Sequence, residues 1–337
     1  MENGSLAFYL STFEASYSVQ MVIFGLCLLL YVITVVANLL VFVAVLMCPE
    51  LHKPMYLFLG NMALADIIGC TSSVPKQLQI LLTGDTKILY ESCLVQMFYV
   101  HVFANLESLT LSLMAFDRYV AICHPLRYHT IVTAKKTLGV LVLIWVIATS
   151  ACMTLALLVT RLNFSDDNRK IQGILCDHMG VVVLAESDIK VNNAYGTALT
   201  VFLFFLPLIF ISYSYLKIFI ECRIKRSAEI TKHGLNTLLT HFLHGLNTLL
   251  THFLALSIFF FAVFVSTITP RFIKDFNTPA LRNMRCLFQF GAFIVPMTNV
   301  LIYCLRTKQL RKGMRMCCKN AFFGTLFPTF SKVSNVS

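Results

Sequence analysis

The chain has 337 residues, 58% of them hydrophobic and only 13% charged, and its mean hydropathy is +0.77. Soluble proteins are about 45–50% apolar and about 25% charged, so this composition excludes a soluble globular protein and points to a polytopic membrane protein. The net charge of +11 would suit a nucleic-acid partner only if it were gathered on one face. Its distribution along the chain, set out below, argues against that.

Residues 1–18 lack the basic start and roughly 7–15-residue apolar centre of a signal peptide. The first apolar run is therefore expected to act as an uncleaved signal anchor. Seven runs are long and apolar enough to cross about 30 Å of hydrocarbon at 1.5 Å per residue. They fall near 19–47, 54–82, 90–123, 137–160, 192–222, 232–270 and 283–305. The third is the weakest by hydropathy, because it holds His101, Asn105 and Glu107. With the N-terminus outside, 17 Lys/Arg and 4 Asp/Glu fall in cytoplasmic segments, and 10 of each fall outside. Cytoplasmic excess of basic residues is the usual orientation signal, so the positive charge reports topology and an inner surface that meets lipid headgroups. This predicts an extracellular segment 1–18, a membrane domain 19–305 and a cytoplasmic tail 306–337.

The third run ends in MAFDRYVAICHPLRY, Met114 to Tyr128. Asp117 and Arg118 stand where an apolar helix leaves the bilayer. Charges at such depth cost about 2.5–3.5 kcal/mol each on insertion scales. A lone Arg could be a plain helix stop, but the whole string is long and specific. It resembles the end of the third helix in rhodopsin-like G-protein-coupled receptors, and in this longer form the odorant-receptor branch. Pro54-Met55-Tyr56, Ser212-Tyr213 and Asn299-Val-Leu-Ile-Tyr303 resemble further motifs of that branch. The last departs from the wider pattern, with Val300 where Pro is common. The helix-six Trp motif of other rhodopsin-like receptors is absent, since the one Trp, Trp145, lies in the fourth span. Phe259, Phe260, Phe261 and Phe264 occupy the sixth instead. The outer loop, with CDHMGVV and LAESDIKVNNAYG, looks most like the fish-like, class I branch.

The resemblance implies an all-α membrane protein, a seven-transmembrane helix bundle with a short amphipathic helix 8. It implies a plasma-membrane receptor that binds a small odorant from outside and activates a heterotrimeric G protein of the cAMP-raising type. Asp117, Arg118, Tyr119, Tyr213, Asn299 and Tyr303 would form the switch. Lys232 and His233 open the sixth span without an acid, which leaves Asp117 as the resting partner of Arg118. Asn38, Asp66, Glu107 and Asn299 match a polar cluster that the family keeps in the bundle core. Two carboxylates in one low-dielectric site cannot both stay ionised without help. Either they share a proton or a cation, which the resemblance makes sodium, sits between them. No other cofactor is expected.

Of twelve cysteines, only Cys93 and Cys176 fall plainly in outer segments, the oxidising side where disulfides belong. The family bridges the matching pair. A second pair, usual within the outer loop of odorant receptors, is replaced here by Ser165 and Glu186. Asn3-Gly-Ser and Asn163-Phe-Ser are glycosylation sequons on the outer side; Asn335-Val-Ser lies inside and is discounted. Arg306 to Cys318 is basic, with Leu310 and Met314 one turn apart, and suits an amphipathic helix on the inner leaflet. Cys317 and Cys318 are either palmitate sites or plain cysteines.

A ligand cavity is expected above the polar cluster. Helical spacing places His101, Ala104 and Asn105 on it, with Thr200 and Phe204 from the fifth span. Phe260, Phe264 and Gln289 would come from the last two spans. No acid lies in this upper stretch, which argues against an amine ligand. Core packing or lipid contact explains any one of these residues equally well.

HGLNTLLTHFL occurs twice in tandem, at His233–Leu243 and His244–Leu254. Eleven residues make three turns plus about 20°, so the polar stripe keeps its face while the helix lengthens by roughly 16 Å. The extra turns should project to where a G protein docks, and are expected to alter or block coupling. Two other readings fit the sequence less well. A non-olfactory receptor for a peptide or lipid fits the absent Trp motif poorly. A transporter or channel would be expected to show inverted repeats and broken helices. An enzyme is not expected, because no metal cluster, nucleophile–base pair or phosphate loop is legible.

Overall fold

The computed structural model describes residues 6–12, 15–165, 169–230, 257, 260–261, 279–306 and 309–316. The sixth span apart from three residues, the whole tandem repeat, Phe264, Asn3, Cys317 and Cys318 lie outside the described residues. The described chain is mostly helix. The long helices are α1 (Tyr17–Met47), α2 (Pro54–Thr83), α3 (Tyr90–Cys123) and α4 (Ala134–Thr160). α5 runs through Lys190–Thr200, Val201–Phe205 and Leu206–Ile230, and α6 is Pro279–Arg306. Among the described residues, α1, α2, α4 and the Lys190–Glu221 stretch of α5 are long and apolar enough to cross a membrane. α3 and α6 are as long, at 34 and 28 residues, but polar side chains lower their hydropathy.

The helix ends follow local chemistry. Pro54 opens α2, where a missing N–H costs nothing. Gly84 closes it at φ 73°, its N–H returning to the Ile80 carbonyl at 2.8 Å. A left-handed residue after a helix favours glycine. Thr133 caps α4 by accepting from the Lys136 N–H. In α5, Pro207 has no N–H and its ring crowds the carbonyl four residues back. The turn Val201–Phe205 just before it widens to π-helix, which absorbs the clash.

Two contacts set how the helices meet. A Cβ on Gly69 of α2 would lie 2.4 Å from the Phe103 ring of α3, so only glycine lets the ring rest on the α2 backbone. Trp145 of α4 donates to Asn61 Oδ1 at 2.7 Å, and Asn61 donates on to Thr110 Oγ1 of α3 at 2.8 Å. In hydrocarbon, polar groups must find each other, and this relay ties three helices together.

The all-α expectation needs one correction, because a three-stranded sheet closes one end. β1 (Ala7–Leu10) is central, antiparallel to β2 (Lys87–Leu89) and parallel to β3 (Lys170–Ile171). β1 alternates: Phe8 and Leu10 are buried and Tyr9 faces out, the two-residue period of a half-buried strand. Phe8 packs edge-on against Phe164 at 5.1 Å.

Candidate functional site

At the end of α3 away from the sheet, Arg118 Nε lies 3.7 Å from Asp117 Oδ2. The second Asp117 oxygen accepts from the Tyr128 hydroxyl at 2.8 Å, in the short helix Tyr128–Ile131. Burial, and then the bond to Asp117, push the Tyr128 phenol well above its ordinary pKa, so it remains a donor. An Arg118 guanidinium nitrogen rests against the Met55 thioether of the Pro54-Met55-Tyr56 motif. Tyr56 donates to Gln309 Oε1 at 2.5 Å, in the helix spanning 309–316. That helix is seated by Leu310, which is fully buried, and by Gly313, where a Cβ would strike Leu51 at 2.8 Å. Tyr119 pairs with His124 Nε2 at 3.3 Å.

Of the tyrosines in ISYSY, the one expected in the switch faces out. Tyr213 is 53% exposed, with Lys217 above its ring at 5.7 Å. Tyr215, two residues on, packs against the core and lies within electrostatic reach of Arg118. ISYSY holds the Ser-Tyr pair twice; in the second, Ser214 is buried and Tyr215 half-buried. Tyr303 lies in α6; its side chain is outside what the structure describes.

In the core, Asn299 Nδ2 donates to Glu107 Oε2 at 3.2 Å, joining α6 to α3. Asp66 of α2 is the neighbouring carboxylate, close enough to interact electrostatically with Glu107. Both carboxylates are fully buried, as is Asn38. Asn38 donates to the Thr34 carbonyl at 3.0 Å. Both Asp66 oxygens, Glu107 Oε1, Asn38 Oδ1 and Ser108 Oγ have no hydrogen-bond donor in the structure. This is an oxygen-rich pocket short of positive charge. Among the described residues, no cluster of three or more His, Cys, Asp or Glu side chains forms a metal site.

At the sheet end of the bundle, the mouth above this core is capped. Cys93 at the top of α3 is bonded to Cys176, with a Cα–Cα separation of 5.4 Å. Three glutamines hold the backbone beside Cys176. Gln96 Oε1 accepts the Cys176 N–H at 3.0 Å, Gln289 Oε1 accepts the Ile174 N–H at 2.8 Å, and Gln77 donates to the Ile174 carbonyl. Ile174 and Leu175 are thereby buried against Cys286 of α6. Arg285 of α6 meets Asp177 Oδ1 at 3.0 Å, its side chain 3% exposed and that of Asp177 19%. The positions that match the family's second disulfide, Ser165 and Glu186, flank a backbone bridge between Phe164 and Ala185. Hydrogen bonds from Glu186 N–H to Asn163 (3.0 Å) and from Asn163 N–H to Ser187 Oγ (3.1 Å) reinforce it, so the loop keeps its pairing without the second bridge.

The expected cavity residues divide. Phe204 and Phe260 meet edge-on at 4.9 Å, linking α5 to the sixth span. His101 Nδ1 engages the Met97 carbonyl at 2.8 Å, and Asp177 is within its electrostatic reach. Ala104 is half-buried. Thr200 bonds back to Gly196. Asn105 turns away to α4, donating to Cys152 Sγ at 3.2 Å. Gln289 holds the cap. Arg285, Asp177, Gln77 and Gln96 went unseen in the sequence. Their signal was polarity in the outer turns of apolar helices, and an acid next to a bridged cysteine.

A multi-pass helical membrane protein with an acid–arginine pair at one end, a buried carboxylate pair and a disulfide-anchored cap at the other is thus defined. A family model described as olfactory receptor matches residues 26–320. Olfactory receptor 7C1 of Homo sapiens is 32% identical, covering 96% of this chain and 97% of that protein. Olfactory receptor-like protein OLF4 of Canis lupus familiaris is 30% identical over 94% and 95%, and olfactory receptor 1D2 of Gorilla gorilla gorilla 31% over 88% and 89%. The chain belongs to the olfactory receptor family, a family of signalling receptors and not of enzymes.

Proposed function

We propose that the chain is an odorant receptor of seven membrane helices, its N-terminus outside and its C-terminus in the cytoplasm, which couples a small organic ligand to a heterotrimeric G protein. Family membership supports the function, and the excess of basic residues at the Arg118 end supports the orientation. The observation that carries the mechanism is Arg118 held between Asp117, Met55 and the neighbourhood of Tyr215. A ligand that binds better to the form in which Arg118 leaves Asp117 shifts the population toward it. The branch within the family rests on the outer loop's sequence alone.

The test is a panel of small volatile compounds on cells expressing the chain, read as cAMP. At least one compound should raise cAMP, and Arg118→Ala should abolish the rise. A response of equal size in Arg118→Ala would remove Arg118 from the switch. The same panel, run on a chain lacking His244–Leu254, should give a stronger response; an identical one would show that the repeat is tolerated.

The core pocket fits a monovalent cation. Asp66, Glu107, Asn38 and Asn299 would hold it, and it would supply the charge that two adjacent carboxylates lack. Sodium at ten times its Kd would stabilise the fold by about 1.4 kcal/mol. Melting should therefore be higher in sodium chloride than in N-methylglucamine chloride at equal ionic strength, and Asp66→Asn should erase the difference. Equal melting in both salts would favour a shared proton. Glycans at Asn3 and Asn163 and palmitate at Cys317 and Cys318 complete the proposal.

A further inference from the structure

A groove of about 1020 Å³ runs between α2 and α3 on the lipid-facing side of the bundle, at the capped end. Its origin is local. The two helices are pressed together at Gly69 and Phe103. Above that point Pro75 lies inside α2, and prolines are where helices bend. The floor is apolar, formed by Ile67 and Ile68 of α2 with Val95 and Tyr99 of α3. Val95 and Tyr99 are exposed along it. Charged residues line it as well: Lys76, Lys87 and Glu91, the last in the first turn of α3.

The Lys76 ammonium is fixed in place. It donates to Lys87 O at 2.6 Å, Gln79 Oε1 at 3.1 Å and Asp85 O at 3.3 Å. All three acceptors are neutral. Among the described residues no ion pair engages Lys76, Lys87 or Glu91, so both signs of charge are left facing the mouth of the groove.

Length selects the occupant. From Ile67 to Lys76 is nine residues, about 14 Å along a helix, which is close to half of the roughly 30 Å hydrocarbon core. The groove is one leaflet deep, with an apolar foot near mid-bilayer and fixed charges at headgroup level. A small volatile molecule would leave most of this volume empty, and a hydroxyl-headed sterol has no use for two lysines.

We infer that the groove between α2 and α3 is a binding site for an outer-leaflet zwitterionic glycerophospholipid, an acyl chain lying along Val95 and Tyr99, its phosphate at Lys76 and Lys87 and its amine at Glu91. The choice of leaflet rests on the orientation proposed above. Lipid here would buttress the cap, because the groove wall includes Gln96, which holds Cys176.

The experiment uses the full chain, delipidated in mild detergent and incubated with phosphatidylcholine or with diacylglycerol of the same chains; native mass spectrometry counts retained lipid. One phosphatidylcholine should remain per receptor, with diacylglycerol retained at least tenfold less. Lys87→Gln should lower phosphatidylcholine retention several-fold, and Val95→Trp, which fills the groove, should remove both lipids. The Cys93–Cys176 bond, read on a non-reducing gel, checks that each variant is folded. Equal retention of the two lipids, or unchanged retention in Val95→Trp, would overturn the site. Cholesterol displacing phosphatidylcholine from the unaltered chain would overturn the occupant. Retention does not depend on orientation, which glycosidase sensitivity at Asn163 reads separately.

Discussion

Arg285→Met should lower the stability of the receptor by about 3–5 kcal/mol, the range for breaking a buried ion pair by removing one partner. The partial exposure of Asp177 places the expected value at the lower end. The Asp177 carboxylate would keep the Gly180 N–H at 3.0 Å but lose its cation in a mouth lined by Ile174 and Leu175. Asp177→Asn should also destabilise, because the guanidinium, the more buried of the two groups, loses the Asp177 carboxylate. Because a pair replaced on both sides leaves no bare charge, Asp177→Asn with Arg285→Met should recover more than half of either single loss. Thermal melting of the purified receptor, with surface expression beside it, measures all three. Single variants as stable as the unaltered chain would show that the pair is not what seats the cap on α6.

Cys93→Ser should have the second large effect. The bond spans 83 residues of sequence, and closing a loop of that size restrains an unfolded chain by up to about 4–5 kcal/mol. The loss would not stop at the bond. Gln96 and Cys176 form their hydrogen bond only while the loop lies against α3, and β3 meets β1 only while the loop crosses the mouth. Cys93→Ser, Cys176→Ser and the double variant should therefore show the same loss of surface expression. A double variant much worse than either single one would mean that each cysteine has a separate role.

Among the described residues, the four spans that are long and apolar were legible because in hydrocarbon such a run can only become a helix. The Arg118 motif, the buried acids and the disulfide were legible because charges and outer cysteines are scarce in such a chain. The sheet was not. Strands of four, three and two residues carry little local signal, and exist here because 160 residues of chain bring them together. Tyr213 and Tyr215 look alike in sequence because ISYSY repeats, and only burial shows that Tyr215 is the one that turns inward. Asn105 was placed in the cavity by spacing along α3, which cannot reveal that Cys152 waits on the neighbouring helix. The glutamines of the cap look like ordinary polar residues until the loop they grip is in view.

β1 has a consequence for how the molecule is made. It is the middle strand, yet it leaves the ribosome first, and its partner β3 follows about 160 residues later. At roughly 5–20 residues per second, the interval is on the order of ten seconds or more. β2 can pair one edge of β1 about halfway through it, but the edge that β3 takes stays open until the end, and an unpaired strand edge invites the wrong neighbour. A strand made before both of its partners is thus among the last elements to be fully seated. The demand for an escort during biogenesis begins with β1 and ends only when the fourth helix has been threaded and the loop beyond it has folded back.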